Sequence, residues 1–287
     1  MSHKLLNSMT QNNARINIIF GSILLILFIA SYHSTLSWMY GRYMSSDSYY
    51  SHAFLIPFVS GFLVWQKRQH LKGMSPEISW WGLVVIVFAV LMHIAGTILY
   101  VFSISGFSMF FFIIGSSLFL FGKRITGEIK FPLTFLIFMF PLPLAILTAI
   151  SFPMKLIAAK AGVTIVSFLG VSVLREGFNI STSAGSLVIG NPCSGLRSLI
   201  SFLALGAFFA YLTNTSNVKK FVLFALAIPV AILSNMARVP ILILISYYWG
   251  LEAASPDSFL HDASGFLVFV IGFIMLFSIS RIMEWKN

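Results

Sequence analysis

The chain contains one cysteine, Cys193, in the segment Asn191-Pro192-Cys193-Ser194-Gly195-Leu196-Arg197-Ser198-Leu199. A single cysteine has no internal disulfide partner, which leaves inert burial or thiolate chemistry. The segment stands where a polar stretch gives way to a long apolar one. A thiol at the start of a helix meets unpaired N–H groups and the positive end of the helix dipole. Those groups are expected to lower its pKa and to stabilise an oxyanion nearby. Gly195, beside Ser194, permits close backbone approach, and Arg197 adds a positive charge one helical turn on. Taken alone, a free cysteine is most often a small buried hydrophobe.

Two further groups stand near the ends of apolar runs. Arg238 lies in Ser234-Asn235-Met236-Ala237-Arg238-Val239-Pro240. Ser234 and Asn235 precede it by four and three residues, so the three can share one helix face. An arginine inside a membrane span costs at least ~2.5–3.5 kcal/mol and faces the bundle interior or a cavity. Pro240 frees a carbonyl in the preceding turn, which needs a partner of its own. His261 lies in Phe259-Leu260-His261-Asp262-Ala263-Ser264-Gly265, just before the last apolar run. Imidazole titrates near neutral pH and serves as acid or base. Asp262 follows directly, and helix neighbours point apart, so it need not orient His261. Tyr50 and His52, in Tyr49-Tyr50-Ser51-His52-Ala53, are candidates to line the same site, although tyrosine there also suits an interfacial belt. His93 reads as a packing hydrogen-bond partner. There is no His-Glu-x-x-His zinc pattern, no P-loop and no Gly-x-Ser-x-Gly. No metal or cofactor is called for.

The elements that position these groups must cross a membrane. Of 287 residues, 58% are hydrophobic and 9% charged, against roughly 25% charged in a soluble domain. That is too little charge to cover a water-facing surface. The net charge of +10 is spread in short clusters between apolar runs, the pattern of topology signals rather than of a nucleic-acid surface. At about 20 apolar residues per span, eight are expected: Ile16–Trp38, Ser51–Trp65, Trp80–Tyr100, Phe107–Gly122, Phe131–Ala149, Gly195–Leu212, Phe221–Tyr247 and Gly265–Ile282. Ser151–Leu169 reads as an amphipathic helix along the interface. Gly170–Asn191 reads as a short hairpin delivering the chain to Cys193. The expected architecture is one all-α bundle over residues 1–287.

With the N-terminus cytoplasmic, Lys4, Arg15, Lys67, Arg68, Lys72, Lys123, Arg124, Lys130, Lys219, Lys220, Arg281 and Lys286 lie inside. Only Arg42, Lys155, Lys160 and Arg175 lie outside. This bias predicts both termini inside. Residues 39–50, 150–194 and 248–264, and with them Cys193 and His261, then face outward.

The ordered set Asn-Pro-Cys-Ser-Gly-Leu-Arg-Ser-Leu, then Ser-Asn-Met-Ala-Arg-Val, then a histidine before a final span, resembles the exosortase/archaeosortase family. Tyr50-Ser51-His52-Ala53-Phe54-Leu55-Ile56-Pro57 is similar to that family's early Tyr-Ser-His-Gly motif, with Ala53 in place of glycine. Leu174-Arg175-Glu176-Gly177 resembles its approach to the cysteine. The resemblance runs from about Tyr49 to Gly265. It implies a polytopic cysteine transpeptidase of the bacterial inner membrane, with Cys193, Arg238 and His261 as the catalytic set. It implies exported substrates that carry a C-terminal tail: a short motif (PEP-CTERM-like), an apolar span and a basic cluster. In that chemistry a thiolate forms a thioester, His261 moves the protons and Arg238 stabilises the thiolate or the oxyanion. Ser194, Gly195, Arg197, Asn235, Tyr50 and His52 are the supporting residues. Two other classes fit parts of the pattern. One is a membrane Cys/His acyltransferase. The other is a transporter or polysaccharide-export component, although transporters usually place polar groups near the midplane and show repeats. The sequence does not specify an oligomeric state.

Overall fold

In a bilayer every backbone N–H and C=O must be satisfied within the protein, so long apolar runs become long helices. The computed structural model describes residues 2–45, 48–190 and 193–285, with side-chain surroundings from residue 22 onward. Asn191 and Pro192 of the cysteine segment lie outside the described residues. The first helix, α1, runs Ser2–Met44. A 3-10 turn, Ser51–Phe54, leads into α2, Leu55–Gln66, and then α3, Arg68–Lys72. Next come α4, Trp80–Ile98, and α5, Phe102–Glu128. A short α6, Lys130–Phe135, continues as a 3-10 turn over Leu136–Met139. After a break, α7 spans Leu144–Phe168. Three short strands follow: β1 Leu174–Glu176, β2 Asn179–Thr182 and β3 Gly185–Val188. The chain closes with α8, Leu196–Leu212, α9, Asn217–Trp249, and α10, Phe259–Trp285.

This is an all-α polytopic membrane bundle. Among the described residues six helices are long and apolar enough to span: the Ser22–Met44 part of α1, and α4, α5, α7, α9 and α10. Ser51–Gln66, Lys130–Met139 and Leu196–Leu212 are shorter apolar pieces. The count of eight was therefore approximate.

The largest departure from expectation is the fifth segment. The sequence reading has one helix over Phe131–Ala149 and an interfacial one over Ser151–Leu169. The break falls instead over residues 140–143, because Pro141 and Pro143 lack an N–H and push the residues before them out of helical geometry. Phe140 is accordingly extended, at φ −85° and ψ 119°. Phe131 stacks on Tyr211 near the end of α8, with centroids 3.9 Å apart. Leu142 N–H, beyond the break, donates to Tyr50 Oη. Six α-helical, four 3-10 and four extended residues reach roughly 30 Å, one hydrocarbon thickness. Residues 130–143 are thus long enough to cross as a broken segment. The neighbours of α7 lie at the Cys193 end: Phe178 against Phe152 and Lys155, and Val239 and Ile243 against Gly162.

The core is built on α9, whose Leu223, Ala227, Ala231, Val239 and Ile243 are fully buried. Its neighbours are α8, α10 and α7. With no hydrophobic drive between helices in lipid, packing and polar contacts hold them. Gly82 and Gly115 let α4 and α5 meet backbone to backbone. Thr35 Oγ1 and Ser105 Oγ, 2.6 Å apart, link α1 to α5. His93 Nδ1 lies 2.7 Å from Ser105 Oγ, the packing role the sequence suggested.

The expected hairpin is a three-stranded antiparallel meander in the order β1-β2-β3. Its Ile180, together with Ile189 just after it, is buried in one cluster with Cys193, Val239, Leu242 and Ala254. The small sheet therefore covers the end of the bundle where the cysteine sits.

Candidate active site

The loop before α8 turns on Gly195, which adopts φ +75° and ψ −3°. A side chain there is doubly disfavoured. The left-handed region suits glycine, and an added Cβ would lie 2.5 Å from Asn235 Cγ. This contact joins the α8 entrance to α9. Cys193 stands three residues ahead of the helix rather than in its first turn, which corrects the expectation of a thiol at the helix start. It is 7% exposed, and its N–H donates to the Gly190 carbonyl. Ser194 is fully buried and its Oγ accepts the Leu196 N–H.

Cys193 Sγ lies 3.3 Å from His261 Nε2. The last helix begins at Phe259, earlier than the expected Gly265, so His261 falls in its first turn. There the imidazole is 2% exposed. The His261 N–H donates to Ser258 Oγ, and Ser264 Oγ donates to the His261 carbonyl at 2.6 Å. Asp262 is exposed, so the adjacent carboxylate does not orient the imidazole.

Arg238 reaches across from α9. Its Nη2 donates to the His261 carbonyl at 3.3 Å and its Nε to Ser264 Oγ at 3.5 Å. Gly265 leaves the guanidinium room, since a Cβ there would lie 2.9 Å from Nη2. The fork shape allows one side chain to hold two groups of α10 at once. Burial pushes the Cys193 thiol above its ordinary range, and the Arg238 charge pulls it partly back. The helix-start expectation of a lowered thiol pKa is overturned, because desolvation of the charged form outweighs the neighbouring cation. A thiolate at this position needs a proton acceptor, and His261 Nε2 is in place.

Tyr50, His52 and Arg197 form an adjoining cluster rather than a part of this triangle. Arg197 Nε donates to the Ser48 carbonyl at 2.5 Å, tying the first turn of α8 to the loop before α2. His52 Nδ1 is 3.1 Å from Ser201 Oγ on α8. Tyr50 Oη accepts the Leu142 N–H at 3.0 Å. Burial pushes the Tyr50 phenol up to about 12, so it acts as a neutral hydrogen-bonding group. Beside this cluster lies a cleft of about 100 Å³, lined in part by Arg42, Ser45, Tyr49, Thr148 and Lys155.

A family model for transmembrane exosortases matches residues 43–278. The chain belongs to that family. No curated protein and no solved structure matches the chain. The matched stretch of this exosortase contains Tyr50, His52, Cys193, Arg238 and His261 together.

Sequence reasoning missed Ser258 and Ser264, the residues that fix the His261 turn of the exosortase. Their signal was present: they stand three before and three after His261, the spacing that brings a serine hydroxyl to a neighbouring turn's backbone. It also missed Ser48, whose carbonyl holds Arg197.

Proposed function

We propose that this exosortase is a membrane-embedded cysteine peptidase and transpeptidase that cleaves the C-terminal sorting signals of exported proteins. The observation that carries this reading is the buried Cys193–His261 pair, 3.3 Å apart, with Arg238 bonded to the same histidine's carbonyl. A nucleophile within hydrogen-bond reach of a base, and a third group that holds the base, is the general signature of covalent catalysis. His261 Nε2 takes the thiol proton, the thiolate attacks the scissile carbonyl, and His261 returns the proton to the leaving amine. An acceptor nucleophile or water then resolves the thioester.

The reading places the site at the outer face of the cytoplasmic membrane with both termini inside. Its support is the basic bias: Lys67, Arg68, Lys72, Lys123, Arg124, Lys219 and Lys220 cluster at or near helix ends, apart in sequence from the Cys193 and His261 segments, and cytoplasmic loops carry such an excess. Cysteine-accessibility labelling on a Cys193→Ala background checks the layout. Cysteines introduced by Ser183→Cys and Ser255→Cys are expected to label in intact cells, and one introduced by Thr215→Cys only after the membrane is opened. Labelling at position 215 in intact cells would move the site to the cytoplasmic side.

The function is tested by co-expression with tail-bearing candidates, proteins that end in a short motif, one apolar span and a basic cluster. Mass spectrometry then reads the new C-terminus. The expected product ends upstream of the apolar span. Intact tails on every candidate would overturn the proposal.

A further inference from the structure

Asn235, a supporting residue beside the cysteine, has no step of its own in the chemistry proposed above. Asn235 is 3% exposed, and its side chain forms no hydrogen bond to a described residue. A side-chain amide in such a setting needs a partner for its N–H groups, whether protein, water or substrate. Its position narrows what that partner is. An ideal Cβ on Gly195 would lie 2.5 Å from Asn235 Cγ and 2.7 Å from Nδ2. The amide therefore rests on the backbone two residues after Cys193. It precedes Arg238 by three residues on α9, so both face the same way along that helix. Arg238 meets His261, and His261 meets Cys193. Asn235 thus rests against the loop that carries Cys193, on the same helix face as Arg238. The first turn of α8 lies alongside, with N–H groups that have no intrahelical acceptor.

Resting on the cysteine-peptidase reading above, we propose that Asn235 is a further catalytic residue, donating a hydrogen bond from Nδ2 to the oxyanion formed during attack by Cys193. As the C–S bond forms, the carbonyl π pair moves onto the substrate oxygen, which accepts the Asn235 N–H. The pair returns to carbon as the C–N bond breaks, and the leaving amine takes the proton that His261 received from Cys193. The amide is unpaired in the resting enzyme and paired when charge develops on the oxygen. That difference between states is what accelerates a reaction. The same geometry explains the glycine at 195, where any side chain would displace the amide.

The test compares wild type, Asn235→Ala and Asn235→Asp in the tail-processing assay, beside membrane abundance and the rate at which iodoacetamide alkylates Cys193. Alkylation displaces iodide from carbon and builds no carbonyl oxyanion, so it reports the cysteine–histidine pair without the hole. Removing one such donor typically costs about 10²–10³-fold in rate. Both variants are expected to lose processing by that factor, at normal abundance and with an alkylation rate within about twofold of wild type. Asn235→Asp keeps the shape and loses the donor, so it separates hydrogen bonding from packing. Processing near the wild-type rate in either variant would overturn the assignment. So would alkylation falling in parallel with processing, or failure of both variants to accumulate, since either makes Asn235 a packing residue. Absence of processing by wild type on every tail-bearing candidate would instead remove the peptidase reading, and this assignment with it.

Discussion

Cys193→Ala is expected to abolish tail processing while leaving the protein in the membrane at normal abundance. The thiol is one small group in a cluster of Val171, Ile180, Ile189, Val239, Leu242 and Ala254. Losing its sulfur leaves a cavity of about one atom, and small core deletions usually cost only ~0.5–1.5 kcal/mol. The fold is held by long apolar helices that this change does not touch. The chemistry is different, since Cys193 Sγ is the group that faces His261 Nε2. Cys193→Ser is the sharper variant: it preserves shape and a hydrogen bond to His261, yet a hydroxyl is far harder to ionise than a thiol. It is expected to be nearly inactive as well. The measurement is the ratio of processed to unprocessed substrate beside enzyme abundance by immunoblot. Full processing by Cys193→Ala would return the cysteine to the inert class.

The same residue carries a pH dependence whose sign follows from its environment. Burial raises the Cys193 pKa and Arg238 lowers it, with burial the larger effect. Its thiolate fraction therefore grows only above the ordinary thiol range, near 8.5. Alkylation should climb steeply on the alkaline side of neutrality. Removing the guanidinium removes the charge that lowers it, so the profile of an Arg238→Met variant should move to still higher pH.

Arg238→Lys is the second large effect, with an expected loss of about 10²–10³ in processing rate at near-normal abundance, equivalent to ~2.7–4 kcal/mol. Arg238 donates through two different nitrogens, Nη2 to the His261 carbonyl and Nε to Ser264 Oγ. A lysine ammonium is a single point on a flexible stem, without the planar fork that holds two acceptors at fixed angles. The charge would remain while its position beside Cys193 and its grip on the His261 turn were lost. An error of about 1 Å in such a constellation costs on the order of 10²-fold. Processed-to-unprocessed ratio, abundance and the Cys193 alkylation profile are measured together. Unchanged abundance with unchanged processing would remove Arg238 from the reacting set and leave Arg197 as the next cation to examine. Arg197 is the weaker prior, because its Nε is already committed to the Ser48 carbonyl.

Much of this protein was legible in its amino acids. With 58% hydrophobic and 9% charged residues, no soluble surface can be built, and the bilayer demand for internal hydrogen bonding then dictates helices. The rarity of cysteine and of arginine within apolar runs singled out Cys193 and Arg238 before any geometry was known, because a charge in a span is expensive enough to need a reason. The sequence could not say where the fifth segment breaks or what that break does. Pro141 and Pro143 mark it, but the partner of the freed Leu142 N–H is Tyr50, ninety-two residues away. Nor could it give the ionisation of Cys193. The N-terminal position argued for a lowered pKa, whereas the buried setting created by the β-meander, α9 and α10 raises it. The meeting of Cys193 with His261, 68 residues apart, and of Gly195 with Asn235, is likewise tertiary. Local spacing determines which face of a helix a residue occupies. Which other face it meets depends on packing, and packing sets the distances and desolvation on which a nucleophile depends.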